Sequence, residues 1–216
     1  MFNRLTDEQI AKGIKATIAL IVIVLLWIGV SFIYNSYFTK NKVDIVLEKA
    51  VKNVNENPGD IQARVALADM FEAKSRTEEA IAQYNEALKL NKKYGPALFG
   101  LGVAYLKSNN EKQALFTFDK EIKVASLGSN ALLDSYLEQA FFYKGKILFE
   151  RKSYKEAAKN FEGALKIAPL MSDSYFFLGK CFQAMGKKKE AANQYKKAVE
   201  LNPQSEAKEA LKNIGY

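Results

Sequence analysis

The sequence predicts an all-α protein in which a solenoid of helix pairs follows one wholly apolar helix. Three observations point there. Four stretches repeat in register with a fixed period near 34 residues, which marks a helical solenoid. Small and aromatic residues recur within them at alternating spacings of four and three, one stripe of an α-helix. An uncharged run of 19 residues, "ATIALIVIVLLWIGVSFIY", precedes them all.

That run, Ala16 to Tyr34, would be about 28 Å long as a helix, close to the hydrocarbon thickness of a bilayer. Lys12 and Lys15 stand before it, and Tyr34, Tyr37, Lys40 and Lys42 stand where the chain would leave the membrane. A cleaved signal has a shorter apolar core and a small-residue cleavage site. "GVS" at Gly29 to Ser31 lies inside the run, so a retained anchor is expected over residues 14–38. Lysines on the two sides nearly balance. A short N-terminus leading straight into an uncleaved apolar segment favours export of the remainder, with a cytosol-facing domain as the alternative.

The chain holds 216 residues, 49% hydrophobic and 26% charged, enough for a substantial core. Histidine is absent and Cys181 is the single cysteine, which removes histidine-based catalysis, most metal sites and an internal disulfide framework. The net charge of +8 lies mostly beyond residue 38, on lysines interleaved with acids, the pattern of solvated helix faces.

The repeat is clearest in "YKEAAKNFEGALKIAP" from Tyr154 and "KKEAANQYKKAVELNP" from Lys188, and the same offset links "TEEAIAQYNEALKLNK" at Thr77 with "EKQALFTFDKEIKVAS" at Glu111. Ala80, Tyr84 and Ala87, then Ala157, Phe161 and Ala164, then Ala191, Tyr195 and Ala198 form the stripe in the second helix of three pairs, while the second repeat departs with Ala114, Phe118 and Glu121. The first helices carry Leu67, Ala68 and Phe71, then Leu101, Gly102 and Tyr105, then Leu178, Gly179 and Phe182. Small residues let two backbones approach, and the rings fill the space between ridges. Cys181 falls on a first helix beside Phe182 and reads as a buried small residue rather than a reactive thiol.

This pattern resembles the tetratricopeptide repeat (TPR) family. The resemblance covers about residues 61–205 and implies a right-handed α-solenoid of about four helix pairs whose first helices line a concave face. The expected organisation is a short segment at 1–13, the transmembrane helix at 14–38, and a linker with a degenerate half repeat at 39–60. Repeats follow at 61–94, 95–128, 138–171 and 172–205, with an insertion at 129–137 that extends the next helix and a capping helix at 206–216. In the half repeat, Val46, Ala50 and Pro58 take repeat positions, and "FTKNK" is the only connection to the anchor. Ala207, Ala210, Leu211 and Ile214 form the apolar stripe of the end cap, with Asn202 and Pro203 as its expected start.

The pattern breaks at the insertion. From Glu111 to Tyr154 the offset is 43 residues, nine more than the period. Ala131 to Leu148 can continue one helical run to about Arg151 with Ser129 or Asn130 as cap, so a first helix of about 20 residues is expected. Two departures flank it: Glu121 replaces a packed alanine and Lys144 a packed leucine. An unpaired buried charge is unfavourable, so these two are expected either to pair or to be exposed at a loosened junction.

By the family resemblance, the groove positions are Val65, Phe99, Phe142 and Phe176, followed four residues on by Asp69, Val103, Lys146 and Lys180; Gln139 and Phe149 complete the expected surface. Apolar rungs with lysines suit an extended or helical peptide bearing aromatic or aliphatic anchors and some acidic groups. Val65, Asp69, Gly100, Gln139 and Tyr143 stand where related chaperone-binding domains have their basic clamp, so chaperone docking is disfavoured.

The functional expectation is a non-enzymatic, membrane-anchored scaffold or assembly factor. In layout it resembles bacterial anchored repeat proteins beside the translocon or in cytochrome maturation. The alternative is a permanent subunit of a membrane complex, held through its apolar helix and the long third-repeat helix. The expected partners are a protein or peptide segment, the bilayer through residues 14–38, and, in the alternative, other complex subunits. No cofactor is expected. Nucleic acid is not expected either, because Lys187, Lys188 and Lys189 make a short basic turn without a stacking surface.

Overall fold

In a computed structural model, which describes residues 7–128 and 135–216, the chain is all-α, with ten helices among the described residues. It divides into a unit ending at Lys52 and a second unit, Asn53–Tyr216. Helix α1, Asp7–Glu56, begins in the first unit and includes the apolar stretch Lys12–Tyr34, with mean hydropathy 2.8 and no burial along its length. The "FTKNK" residues, expected to be a connection, are helical as well.

The second unit is a series of helix pairs: α2 (Ile61–Ala73) with α3 (Thr77–Leu90), α4 (Gly95–Lys107) with α5 (Glu111–Ala125), α6 (Ser135–Glu150) with α7 (Tyr154–Ile167), and α8 (Ser172–Ala184) with α9 (Lys188–Leu201). Each helix packs on the next, and the first helices α2, α4, α6 and α8 also touch in succession, so they form one continuous layer. Helix α6 is described from Ser135; the expected cap at Ser129 or Asn130 and the helical run through 134 lie outside the described residues. Helix α10, Ala207–Asn213, closes the unit and begins after Glu206, later than Asn202 and Pro203 suggest. Its Ala207, Ala210, Leu211 and Ile214 pack on the last repeat around Tyr195 and Ala198.

The spacing of the second-helix stripe has a direct steric cause. Phe118, Phe161 and Tyr195 are fully buried, each worth about 1.5–3 kcal/mol of apolar burial. Each ring lies on a glycine of its partner helix. A Cβ added at Gly102 would meet the Phe118 ring at 2.5 Å, one at Gly145 the Phe161 ring at 2.8 Å, and one at Gly179 the Tyr195 ring at 2.5 Å. No other residue permits so close an approach.

The turn inside each pair repeats as faithfully. Ser75, Asn109, Lys152 and Gly186 all adopt positive φ, between 57° and 77°. The next residue donates its backbone N–H back to the end of the first helix: Arg76 to Phe71, Asn110 to Tyr105, Ser153 to Leu148 and Lys187 to Phe182, at 2.8–2.9 Å. These are Schellman caps, which satisfy helix-end carbonyls through one left-handed residue.

The break between the second and third repeats corrects one expectation. Lys144 does not pair with Glu121; its ammonium bonds Asp119 on α5. Nor is Glu121 exposed at a loosened junction. It is fully buried, with its carboxylate against Gly95 at the start of α4, where a Cβ would meet Oε1 at 2.8 Å. The positive end of the helix dipole favours an anion there.

Candidate functional site

The expected groove residues sit on the first-helix layer and fall into two groups. Val65, Asp69, Phe99 and Val103 line a cavity of about 300 Å³ between α2, α4 and α6. Phe142, Lys146, Phe149, Phe176 and Lys180 gather on α6 and α8. Gln139 is half-buried on α6 and belongs to neither group.

The three phenylalanines expected as rungs do not touch one another. Two rings that were not among the expected rungs bridge them. Tyr143 joins Phe99 to Phe142 at centroid distances of 5.8 and 5.9 Å, and Phe177 joins Phe142 to Phe176 at 5.8 and 5.6 Å. The result is a continuous run of half-buried rings along three first helices. The doublets Phe142–Tyr143 and Phe176–Phe177 were the available signal, since each bridge directly follows a rung.

Two lysines sit over this run. Lys180 Nζ lies 5.0 Å from the Phe149 centroid, 5.3 Å from Phe176 and 5.1 Å from Phe177. Lys146 Nζ lies 5.6 Å from Phe177 and 5.9 Å from Phe142. Cation–π attraction holds the ammonium groups over the rings while leaving their donors available to an anion.

The cavity at the other end carries carboxylates. Tyr84 of α3 donates its hydroxyl hydrogen to Asp69, and Glu72 bonds Lys107 of α4. Burial, the hydrogen bond to Asp69 and the nearby charges of Asp69 and Glu72 push the Tyr84 hydroxyl well above its ordinary pKa. Glu72, Tyr84, Lys107 and Tyr136 were not expected here; Asp69 and Glu72, three apart on one helix face, were the readable hint. Cys181 is fully buried and its thiol is pushed up to about 12 by burial, which makes it an inert core residue.

Comparison with known proteins bears on the fold. Residues 68–109 match the family model described as TPR repeat. The helix pairs are tetratricopeptide-like. Residues 142–214 match the model described as Regulator of microtubule dynamics protein 1-3. Anaphase-promoting complex subunit 3 of Schizosaccharomyces pombe is 25% identical over 169 residues, covering 66% of this chain. The chain spans 25% of the length of that relative. The crystal structure of MamA superposes with a TM-score of 0.66 at 19% identity, over 77% of this chain and 92% of that one. Pseudomonas aeruginosa pilF superposes at 0.60 with 20% identity, over 71% and 67%. These likenesses establish a TPR-like solenoid, and the ring run and cavity lie on its first-helix layer.

Proposed function

We propose that the chain is a membrane-anchored protein–protein interaction scaffold whose first-helix layer binds an extended or helical segment of a partner. The observation that carries this reading is the run of half-buried rings with Lys146 and Lys180 seated on it. Aromatic surface left half-open, with unspent ammonium donors above it, suits apolar anchors and acidic groups on a partner.

The anchor is assigned to α1. Its 23-residue stretch Lys12–Tyr34 would be about 34 Å long, and it is apolar and exposed on every side, Trp27 and Phe32 included. A helix hydrophobic all round belongs in a membrane or a large core. In this proposal the repeat domain lies outside the cytoplasm.

Site-specific photocrosslinking in intact membranes tests the reading. Crosslinkers at Phe142 and Phe176 should trap the same discrete partner, while one at Phe116, which is 67% exposed on α5, should not. The chain should remain in the membrane pellet after alkaline carbonate extraction. No adduct from either ring, or equal trapping from Phe116, would overturn the groove; release by carbonate would overturn the anchor.

A further inference from the structure

The cavity between α2, α4 and α6 differs chemically from the remainder of the first-helix layer. Its acidic side chains are Asp69 and Glu72, and Val65, Phe99 and Val103 supply apolar wall. Among its described lining residues the one cation is Lys107, and that ammonium is engaged with Glu72 Oε2, so the lining keeps one excess negative charge. The deciding atom is the other Glu72 oxygen. The side chain is only 10% exposed, and Oε1 is buried with no hydrogen-bond partner. Buried polar atoms are almost always satisfied, and a carboxylate oxygen lacking a donor is unfavourable in a poorly solvated site. The Tyr84 hydroxyl, raised above its ordinary pKa first by burial and then by its hydrogen bond to Asp69, stays a neutral donor on a third side of the cavity.

We infer that this cavity receives a lysine or arginine side chain from the segment bound along the first-helix layer. The methylenes of that side chain lie against Val65, Phe99 and Val103, and its charged end donates to Glu72 Oε1 and Asp69. The inference rests on the peptide-binding reading above and adds the chemistry of one anchor. A volume of about 300 Å³ is at the small end of ligand pockets and suits one side chain rather than a folded element. An acidic anchor is excluded by the two carboxylates, and a purely apolar one would leave Glu72 Oε1 without a donor.

Selection of short random peptides by phage display against the full chain in lipid nanodiscs supplies the probe. Selected peptides should share a lysine or arginine at one position. Replacing that residue with norleucine in the tightest peptide should weaken binding about tenfold to the native chain, and by less than about threefold to Glu72→Gln, which preserves shape but removes the charge. Circular dichroism establishes that the variant is folded, and Asp69→Asn provides a second variant with the same expected loss of discrimination. Selected peptides without a shared basic position, or an equal norleucine penalty in native and variant chains, would overturn the inference. If binding in those cases is still lost on Phe176→Ala, the groove itself stands. Failure to select any peptide, or binding indifferent to Phe176→Ala, would overturn both.

Discussion

The left-handed residue inside each helix pair makes Lys152→Gly a stabilising substitution. Lys152 is exposed, with φ at 60°, so the change removes little beyond the conflict between its Cβ and its own backbone. That conflict costs a side-chain-bearing residue about 1–2 kcal/mol, and the added freedom of glycine in the unfolded chain returns about 0.4–1 kcal/mol of it. The net gain should be about 0.5–1 kcal/mol, a rise in Tm of about 1–4 °C for a domain of this size. Asn109 is at φ 57° in the same position, but asparagine tolerates this region, so Asn109→Gly should change Tm by less. Gly186→Ala, at φ 77°, should lower it by a similar amount. Thermal melts of the full chain in detergent, followed by circular dichroism, measure all three. The reasoning is refuted if Lys152→Gly gains no more than Asn109→Gly, or if Gly186→Ala leaves the melt unchanged.

Two further perturbations probe the core. Gly179→Ala should destabilise the protein by about 1–2 kcal/mol despite alanine's higher helix propensity, because its Cβ would meet the Tyr195 ring at 2.5 Å and the fully buried ring has to retreat; denaturant melts would show a lower midpoint with the same slope. Glu138 is buried, and burial raises its pKa above the ordinary carboxylate value. The folded form therefore holds its proton more tightly than the unfolded one, so stability falls as pH rises from the ordinary carboxylate value to the raised folded one, and the penalty is constant above that. Glu138→Gln should accordingly be more stable than the native chain at pH 7, by about 1 kcal/mol, with the difference vanishing near pH 4 in parallel melts.

The scaffold was legible because its physical demands are narrow. Only glycine fits under Phe118 and Tyr195, so Gly102 and Gly179 recur at a readable spacing from those rings. The turns were less so: the same left-handed conformation is met by serine, asparagine, lysine and glycine, and only two of those types announce it. At the repeat break, the charges of Lys144 and Glu121 could be read but their surroundings could not. Asp119 and Glu121 stand two residues apart on α5 and face different neighbours, and sequence register does not say which carboxylate α6 brings a lysine to. The groove was half legible for the same reason. Rungs follow the period, whereas Tyr143 and Phe177 reach across it because a long ring can lean toward the next helix, and Glu72 acquires its meaning only when α4 and α6 close a cavity around it.

A division of labour follows from these constraints. The alanines, glycines and buried rings that build the repeats are set by packing and leave little freedom for recognition. The exposed and half-buried positions of the first helices are free of that demand, and there the chain changes character from one end to the other: carboxylates on α2, then rings, then lysines over rings on α6 and α8. In the proposed reading a bound segment therefore has a direction. A basic residue at α2 and an acidic one near α8 meet opposite charges, whereas the same segment reversed meets like charges at both ends, an arrangement that costs several kcal/mol at an interface. Apolar anchors on the ring run would supply affinity in either orientation, so the charge order decides how the segment lies rather than whether it can bind.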